Sequence, residues 1–221
     1  MPKRDLKIIT VLIADDEPLA RAGISSLLAQ ASDIEIVGEA QDGFEVKEVI
    51  PKLHPQILLL DLKMPGPGPY EIEKWVRQNY PETIVLVLTS HDRDAYLATM
   101  MEIGAAGYLS KDESAERLIG AIRKAAEGTV YFSDEQIARA VKWKHRVKEK
   151  WEKLTLREGE LLQHLVRGED NKTIAKSLNI TLKTVEFHMT SILKKLNMNS
   201  RDEVIVWMLE QHPDNPGIIK D

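Results

Sequence analysis

The stretch TVLIADDEPLAR, from Thr10 to Arg21, decides the fold of the first part of the chain. Aliphatic residues run almost without a break up to Ala14, and three carboxylates follow at positions 15, 16 and 17, directly before a proline. A short apolar run of this kind is typical of a strand that is buried on both faces of a sheet. Three adjacent like charges cost free energy unless a positive group lies among them. We therefore expect a buried strand that ends beside a cation.

Four further apolar runs follow, and they alternate with segments whose apolar residues recur every three to four positions. The predicted strands are residues 8–14, 34–40, 56–61, 84–90 and 107–110. Five strand and helix units predict an α/β fold, a doubly wound parallel sheet over residues 1–130 with helices on both faces. Functional groups in such a sheet gather at the carboxyl ends of the strands. The side chains expected at that edge are Asp15, Asp16, Asp61, Thr89 and Lys111.

The second half of the chain shows no strand pattern. Residues 131–153 have spaced apolar residues among many charges, which predicts a linker helix. Four short helical patterns follow and predict a small all-α domain over residues 154–221. Its last residues, 213–221, have no helical period, so we expect a poorly ordered tail.

Composition excludes several classes of protein. The 221 residues include no cysteine, which excludes disulfides and thiolate metal sites, and no two of the six histidines have the i, i+4 spacing of a helical zinc site. The apolar run near the N-terminus ends in acids rather than in a signal-peptide cleavage site, and no later run approaches the length of a membrane span. We expect a cytoplasmic protein with no membrane partner.

Charge divides the chain into an acidic and a basic part. Residues 1–132 contain 14 Lys and Arg against 21 Asp and Glu, whereas residues 133–221 contain 16 against 14. Within residues 171–201 one acid, Glu186, faces six basic residues. This asymmetry suggests that the two parts have different tasks.

The acid cluster has the composition of a divalent cation site. Mg²⁺ or Mn²⁺ takes oxygen ligands and commonly uses one or two carboxylates together with a phosphoryl oxygen. The predicted metal ligands are Asp15, Asp16 and Asp61. With the cation bound, the Asp61 carboxylate is a candidate nucleophile toward a phosphoryl group. The Lys111 ammonium and the Thr89 hydroxyl would then stabilise the phosphoryl oxygens.

Four motifs in the first part resemble one family. LIADDEP, LLLDLKMPG, VLTS and GYLSKD, in this order, are similar to the receiver domain of two-component response regulators, which has a flavodoxin-like fold. The resemblance implies that Asp61 accepts a phosphoryl group from a sensor histidine kinase and that Thr89, Lys111 and Tyr108 form the switch. Two features depart from the family pattern, namely the Pro-Gly-rich loop after Asp61 and the third acid, Glu17.

The basic part carries a second resemblance. LTLRE, NKTIAKSLNI, KTVEFHMTSILKKL and SR, within residues 154–211, resemble the LuxR-type helix-turn-helix of NarL/FixJ response regulators. The resemblance implies a recognition helix over residues 184–196, braced by residues 170–178, that enters the major groove. The implied DNA contacts are Lys172, Lys183, Thr184, Lys194 and Lys195, mostly at phosphates, and Glu186, Phe187 and Thr190 at base edges. Packing inward or against the backbone is implied for Val185, His188, Ile192 and Leu196.

These features predict a transcription regulator of a two-component phosphorelay. Phosphorylation at Asp61 is expected to control sequence-specific binding to double-stranded DNA, with a homodimer of the phosphorylated chain and RNA polymerase as further partners. No enzymatic activity is expected beyond acceptance of the phosphoryl group and its hydrolysis by autodephosphorylation.

Several alternatives remain open. A regulator that acts through protein contacts without phosphorylation fits the same sequence. A phosphohydrolase of the haloacid dehalogenase type would need an aspartate where Lys63 stands, and a flavodoxin-like cofactor binder would need a phosphate loop where the acids stand. The separate features also have simpler interpretations: Asp15 as a helix cap, Lys111 as a surface partner of Asp112, Tyr108 as a core residue, and the basic part as a plain helical bundle.

Overall fold

The computed structural model describes residues 8–211, and the tail expected at 213–221 lies outside them. The chain divides between Ile137 and Ala138 into two compact units. We call them the first unit and the second unit. The division falls inside a helix that starts at Asp134 and ends at Trp151.

The first unit contains a five-stranded parallel sheet, which confirms the predicted fold class. Its strands are β1 (Ile9–Ala14), β2 (Ile34–Ala40), β3 (Ile57–Leu60), β4 (Ile84–Thr89) and β5 (Gly107–Ser110), in the order β2-β1-β3-β4-β5. The strand order reverses beside β1, so β1 and β3 are neighbours with β2 on the outer side. In open α/β sheets, ligands bind at the carboxyl ends of the strands at this reversal. The predicted strand bounds differ from the observed ones only at the ends of β1, β3 and β4.

Four helices connect the five strands, and a fifth helix follows the last strand. They are α1 (Pro18–Leu28), α2 (Gly43–Leu53), α3 (Pro69–Asn79), α4 (Asp94–Ile103) and α5 (Ala115–Ala126). Pro18 and Pro69 start α1 and α3, where a fixed φ suits the first helical turn and a missing N–H is tolerated. Leu and Ile at helical spacing on α5, Leu118 and Ile122 among them, are buried against β1, β3 and β4. Burial of these side chains on a sheet that is apolar on both faces supplies the main stabilisation.

The second unit is a bundle of short helices. It contains the rest of α6 (Asp134–Trp151), then α7 (Leu156–Val166), α8 (Asn171–Ser177), α9 (Leu182–Leu196) and α10 (Arg201–Gln211). Thr155, Asp170 and Thr181 cap the starts of α7, α8 and α9 through their side-chain oxygens. The predicted bracing and recognition helices correspond to α8 and α9, and α9 starts two residues earlier than predicted.

Aromatic packing closes this bundle at the end of α6. Trp151 lies against Trp207 of α10 with ring centroids 5.7 Å apart, and its indole N–H donates to Gln211 Oε1 at 2.6 Å. Val204, Trp207 and Met208 are buried in the bundle core, whereas Val206 on the same helix is exposed. The apolar surface of the last helix is therefore used mostly within the bundle. None of the helices in residues 8–211 is long and apolar enough to cross a membrane.

Candidate functional site

Backbone pairing continues one residue past the strand ends and thereby aligns the predicted site residues. The Asp61 amide donates to the Ala14 carbonyl at 2.9 Å, and the Lys111 amide donates to the Thr89 carbonyl at 3.0 Å. Asp61 and Lys111 thus leave their strands at the same edge of the sheet. This alignment is a direct consequence of parallel register, because neighbouring parallel strands end on the same side.

Lys111 lies between the buried acids. Its Nζ is 2.6 Å from Asp15 Oδ2 and 3.5 Å from Asp61 Oδ1, and its side chain is mostly buried. The interpretation of Lys111 as a surface partner of Asp112 is therefore wrong. Nor is Asp15 the cap of α1, since Glu17 is the N-cap residue and Asp15 Oδ1 accepts from the Glu17 amide at 2.9 Å. Part of the positive charge that the acid cluster requires is thus supplied by the chain itself.

The three predicted metal ligands come together. One carboxylate oxygen each from Asp15, Asp16 and Asp61 lie within 4.8 Å of one another, with Asp15 and Asp61 buried and Asp16 exposed. Asp61 Oδ2 accepts from the Lys63 amide at 3.1 Å. Asp61 Oδ1 is buried and accepts no hydrogen bond from any residue in the described part of the chain. An acid group with one exposed member and one unsatisfied buried oxygen fits a hard divalent cation that keeps some of its water.

The pKa values of Asp61 and Lys111 are shifted by this arrangement. Burial raises the pKa of Asp61, and the charge of Lys111 and the Lys63 amide offset only part of that rise. Burial alone would lower the pKa of Lys111, but the hydrogen bond with Asp15 and the charges of Asp61 and Asp15 outweigh it and raise that pKa. Lys111 therefore stays protonated, and Asp61 pays a desolvation penalty for its charge.

Thr89 and Tyr108 are linked through one backbone segment. Thr89 Oγ1 accepts from the His91 amide at 3.0 Å, and the Tyr108 hydroxyl donates to the His91 carbonyl at 2.9 Å. Both side chains are buried, so the interpretation of Tyr108 as a core residue is correct in part, although its hydroxyl binds this loop. His91 acts through its backbone, and the sequence therefore carried no signal for this role. Gln136 also reaches the area and donates through Nε2 to the Tyr108 carbonyl at 2.8 Å.

Helix α9 presents the predicted DNA-contact residues on its open face. The exposed members of this set are Lys183, Glu186, Phe187, Thr190 and Lys194, together with Lys172 on α8. Phe187 is 70% exposed, and its ring lies edge-on to that of His188 with the centroids 6.0 Å apart. Thr184 is half-buried and its hydroxyl lies 2.8 Å from that of Thr181. On the opposite face, the predicted inward residues Val185, Ile192 and Leu196 are buried, and His188 is half-buried.

Lys195 has a partner within the protein. Its Nζ donates to Glu158 Oε2 at 2.7 Å. Glu158 is buried on α7 and also accepts from the Ser191 hydroxyl at 2.7 Å and from the Thr155 amide at 2.7 Å. Burial alone would raise the pKa of Glu158, but the hydrogen bonds from Lys195, Thr155 and Ser191 lower it to about 2. This carboxylate therefore fixes α9 to α7. Glu158 lies in the LTLRE motif, but nothing in the sequence predicts its contact with Lys195.

Comparison with known proteins agrees with both halves of this description. The family described as "Response regulator receiver domain" matches residues 11–123, and the family described as "Bacterial regulatory proteins, luxR family" matches residues 152–208. The transcriptional regulatory protein DegU of Brevibacillus brevis is 33% identical over 216 residues, covering 90% of this chain and 92% of DegU. The response regulator protein VraR of Staphylococcus aureus is 35% identical over 210 residues, covering 92% and 98%.

Solved structures show the same organisation. RcsB of Salmonella enterica serovar Typhimurium, bound to promoter rprA in the presence of phosphomimetic BeF3-, is 26% identical with a TM-score of 0.64, covering 92% of this chain and 98% of that one. The receiver domain of NarL from Mycobacterium tuberculosis is 34% identical with a TM-score of 0.53, covering 55% and 98%. The chain therefore belongs to the two-component response regulators of the NarL/FixJ type, transcription regulators that join a receiver domain to a LuxR-type DNA-binding domain.

Proposed function

We propose that a sensor histidine kinase phosphorylates Asp61 and that this modification controls DNA binding by the second unit and hence transcription. The observation that carries the proposal is the state of the Asp61 carboxylate. One oxygen is held by the Lys63 amide, and the other is buried, lacks a hydrogen-bond donor among the described residues, and lies 3.5 Å from Lys111 Nζ. An oriented carboxylate with a free oxygen beside a fixed cation is arranged for nucleophilic attack on an electrophilic phosphorus.

The transfer follows from the side chains at the sheet edge. The free Asp61 oxygen forms a bond to phosphorus while the bond from phosphorus to the kinase's histidine nitrogen breaks. Mg²⁺ or Mn²⁺, held by Asp15, Asp16 and Asp61, would supply further positive charge toward the phosphoryl oxygens. Lys111 exchanges its contact with Asp15 for a phosphoryl oxygen, and the Thr89 hydroxyl turns to donate to another. Later attack of water on the aspartyl phosphate would reset the switch by autodephosphorylation.

The proposed rotation of the Thr89 hydroxyl would also transmit phosphorylation at Asp61 to Tyr108. The Thr89 hydroxyl now accepts from the His91 amide, and a phosphoryl group that recruits this hydroxyl removes that bond. The His91 carbonyl holds the Tyr108 hydroxyl, so a change in the His91 segment alters the position of Tyr108 as well. A local charge change at Asp61 is thereby coupled to the surface formed by α4 and β5.

In the second unit, the open face of α9 is proposed to enter the major groove. Lys172, Lys183 and Lys194 are exposed cations placed to contact phosphates. The residues proposed to meet base edges are Glu186, Phe187 and Thr190, and Thr184 adds a hydroxyl near the start of the helix. Lys195 remains a proposed phosphate contact, but we expect it to attract DNA more weakly because Glu158 partly neutralises its charge.

The remaining partners belong to the same proposal. The phosphorylated chain binds as a homodimer to half-sites about one helical turn apart, acts with RNA polymerase and works in the cytoplasm. Support for DNA binding comes from RcsB, which is seen on promoter DNA. A regulator that works without phosphorylation is less well supported, because it gives no role to the buried free oxygen of Asp61.

Intact mass spectrometry tests the phosphoacceptor directly. The full chain is incubated with acetyl phosphate and Mg²⁺, and we expect one phosphoryl adduct that requires the metal. Asp61→Asn should abolish the adduct, whereas Asp134→Asn, the same change at an exposed acid on α6, should leave it unchanged. An adduct that persists in Asp61→Asn would contradict the assignment.

A further inference from the structure

The loop that follows Asp61 determines how its carboxylate is oriented. Residues 62–68 read LKMPGPG, and near their start the Lys63 amide donates to Asp61 Oδ2 at 3.1 Å. Prolines at 65 and 67 have fixed φ values and carry no N–H, so they cannot donate the hydrogen bonds that usually hold a loop. Other contacts must therefore keep the Lys63 amide directed at Asp61.

The first turn of α2 lies directly against this loop. The Gly43 amide donates to the Pro65 carbonyl at 2.9 Å. A Cβ atom at position 43 would lie 2.3 Å from the Pro67 carbonyl oxygen, which is closer than real contacts allow. Only glycine permits this approach of the two backbones.

Phe44 covers the loop next to this contact. Gly66 has a φ of +87°, a left-handed conformation that glycine adopts without strain. A Cβ atom on Gly66 would lie 2.7 Å from Phe44 Cδ2 and 2.8 Å from Cε2. The ring of Phe44 therefore lies on the open side of Gly66. Phe44 is nevertheless 64% exposed, so the burial of the ring in the core does not explain its presence.

The start of α2 is itself well fixed. The Asp42 side chain accepts from the Glu45 amide at 2.8 Å, and Glu45 Oε2 accepts from the Gln41 amide at 2.7 Å. This reciprocal pair satisfies two free amides and holds the turn before the helix. Farther along α2, Lys47 pairs with Glu71 of α3 at 2.5 Å. A fixed helix end can therefore serve as a support for the loop.

We propose that Phe44 is a positioning residue for the phosphoacceptor. Its ring holds the 62–68 loop in the conformation in which the Lys63 amide binds one oxygen of Asp61, the carboxylate is oriented as a metal ligand, and the other oxygen stays free for the phosphoryl group. The inference rests on the proposed role of Asp61. It assigns to an exposed aromatic side chain on α2 a function at a site that it does not touch.

Three full-length variants separate this role from a general effect on stability. Phe44→Ala removes the ring, and Phe44→Tyr keeps it. Leu53→Ala removes a partly exposed apolar side chain from the other end of α2, so it is the matched control. For each variant we would measure backbone amide exchange at Lys63 and Gly66 in the metal-free chain, the dissociation constant for Mg²⁺, and the rate of phosphorylation by acetyl phosphate.

Phe44→Ala is expected to speed amide exchange in the loop and to weaken Mg²⁺ binding about tenfold, the low end for groups that orient metal ligands. Phosphorylation by acetyl phosphate should slow by a similar factor, whereas Phe44→Tyr and Leu53→Ala should behave like the original chain. Gly66→Ala should also be less harmful in the Phe44→Ala background, because the clash with the ring is then absent.

Unchanged loop exchange and unchanged Mg²⁺ binding in Phe44→Ala would overturn the proposal. If phosphorylation by a histidine kinase then fell while phosphorylation by acetyl phosphate did not, Phe44 would be a contact for that partner instead. A chain that no donor phosphorylates would refute the role of Asp61 but not decide the role of the ring. In that case loop exchange and Mg²⁺ binding, which need no phosphoryl transfer, still decide it.

Discussion

Replacement of Glu158 by glutamine should destabilise the second unit at neutral pH and remove the acid sensitivity that this group confers. The carboxylate is 2% exposed and accepts hydrogen bonds from Lys195, Ser191 and Thr155. Its pKa falls from 4.5 to about 2 on folding. At 1.36 kcal/mol for each pKa unit, the ionised form contributes about 3 kcal/mol at pH 7.

The direction of the pH effect follows from the lowered pKa. The contribution is fully present above the unfolded pKa of 4.5 and is lost as the pH falls through the folded value of about 2. Between pH 7 and pH 3 this group should therefore remove about 2 kcal/mol of stability. Glu158→Gln, which cannot ionise, should be about 3 kcal/mol less stable than the original chain at pH 7, and the gap should narrow to about 1 kcal/mol at pH 3.

Urea unfolding of the full chain, followed by tryptophan fluorescence, measures this difference. In a Trp75→Phe background the remaining tryptophans, at 143, 151 and 207, all lie in the second unit. Glu160→Gln makes the same change at an exposed carboxylate of the same helix and should cost little at either pH. If Glu158→Gln and the original chain lost stability in parallel between pH 5 and pH 3, the reasoning about Glu158 would be wrong.

Three further predictions concern the stability of the chain and its binding to DNA. Asp61→Asn should raise the melting temperature of the metal-free chain, because burial raises the pKa of Asp61 and its charge opposes folding as the pH rises through that pKa. Burial also raises the pKa of Glu73 to about 7, so Glu73→Gln should be about 3 kcal/mol more stable than the original chain at pH 8, with a much smaller difference at pH 5. Lys194→Met should reduce the slope of log affinity against log salt concentration by the amount expected for about one phosphate contact. Lys195→Met removes a cation that is paired with a carboxylate and should reduce this slope less.

Each of these has a clear contrary result. A lower melting temperature for metal-free Asp61→Asn would mean that the charge is better compensated than the unsatisfied oxygen indicates. Equal stability of Glu73→Gln and the original chain in urea at pH 8 would mean that the charge of the buried Glu73 carboxylate does not destabilise the fold. Equal salt slopes for the two lysine variants, measured by fluorescence anisotropy with one DNA fragment, would return Lys195 to the phosphate contacts.

The edge of the sheet could be predicted from the sequence because a few local rules determine it. Apolar runs predict strands, and parallel strands bring their carboxyl ends to one side, so Asp15, Asp61 and Lys111 had to be neighbours. What the sequence could not supply was the pairing among them. Lys111 binds Asp15 at 2.6 Å, while one Asp61 oxygen stays unsatisfied. This choice of partner depends on side-chain geometry.

The DNA-contact set shows the same limit in the second unit. The resemblance to the LuxR-type helix-turn-helix implied the buried and exposed faces of α9, including the exposed Phe187 and Lys194. The resemblance implied a phosphate contact for Lys195, but it says nothing about Glu158, which lies 37 residues earlier in the chain. Contacts between distant segments determine such roles, and a pattern along the chain does not contain them.

We propose above that phosphorylation of Asp61 controls DNA binding. The most direct test is the affinity of the full chain, with and without prior treatment by acetyl phosphate and Mg²⁺, for a DNA site selected from a random pool by the treated protein. We predict that treatment strengthens binding at constant salt and that Asp61→Asn binds equally weakly in both conditions. Equal affinity of the treated and untreated chain, with the phosphoryl adduct verified by mass, would contradict the account.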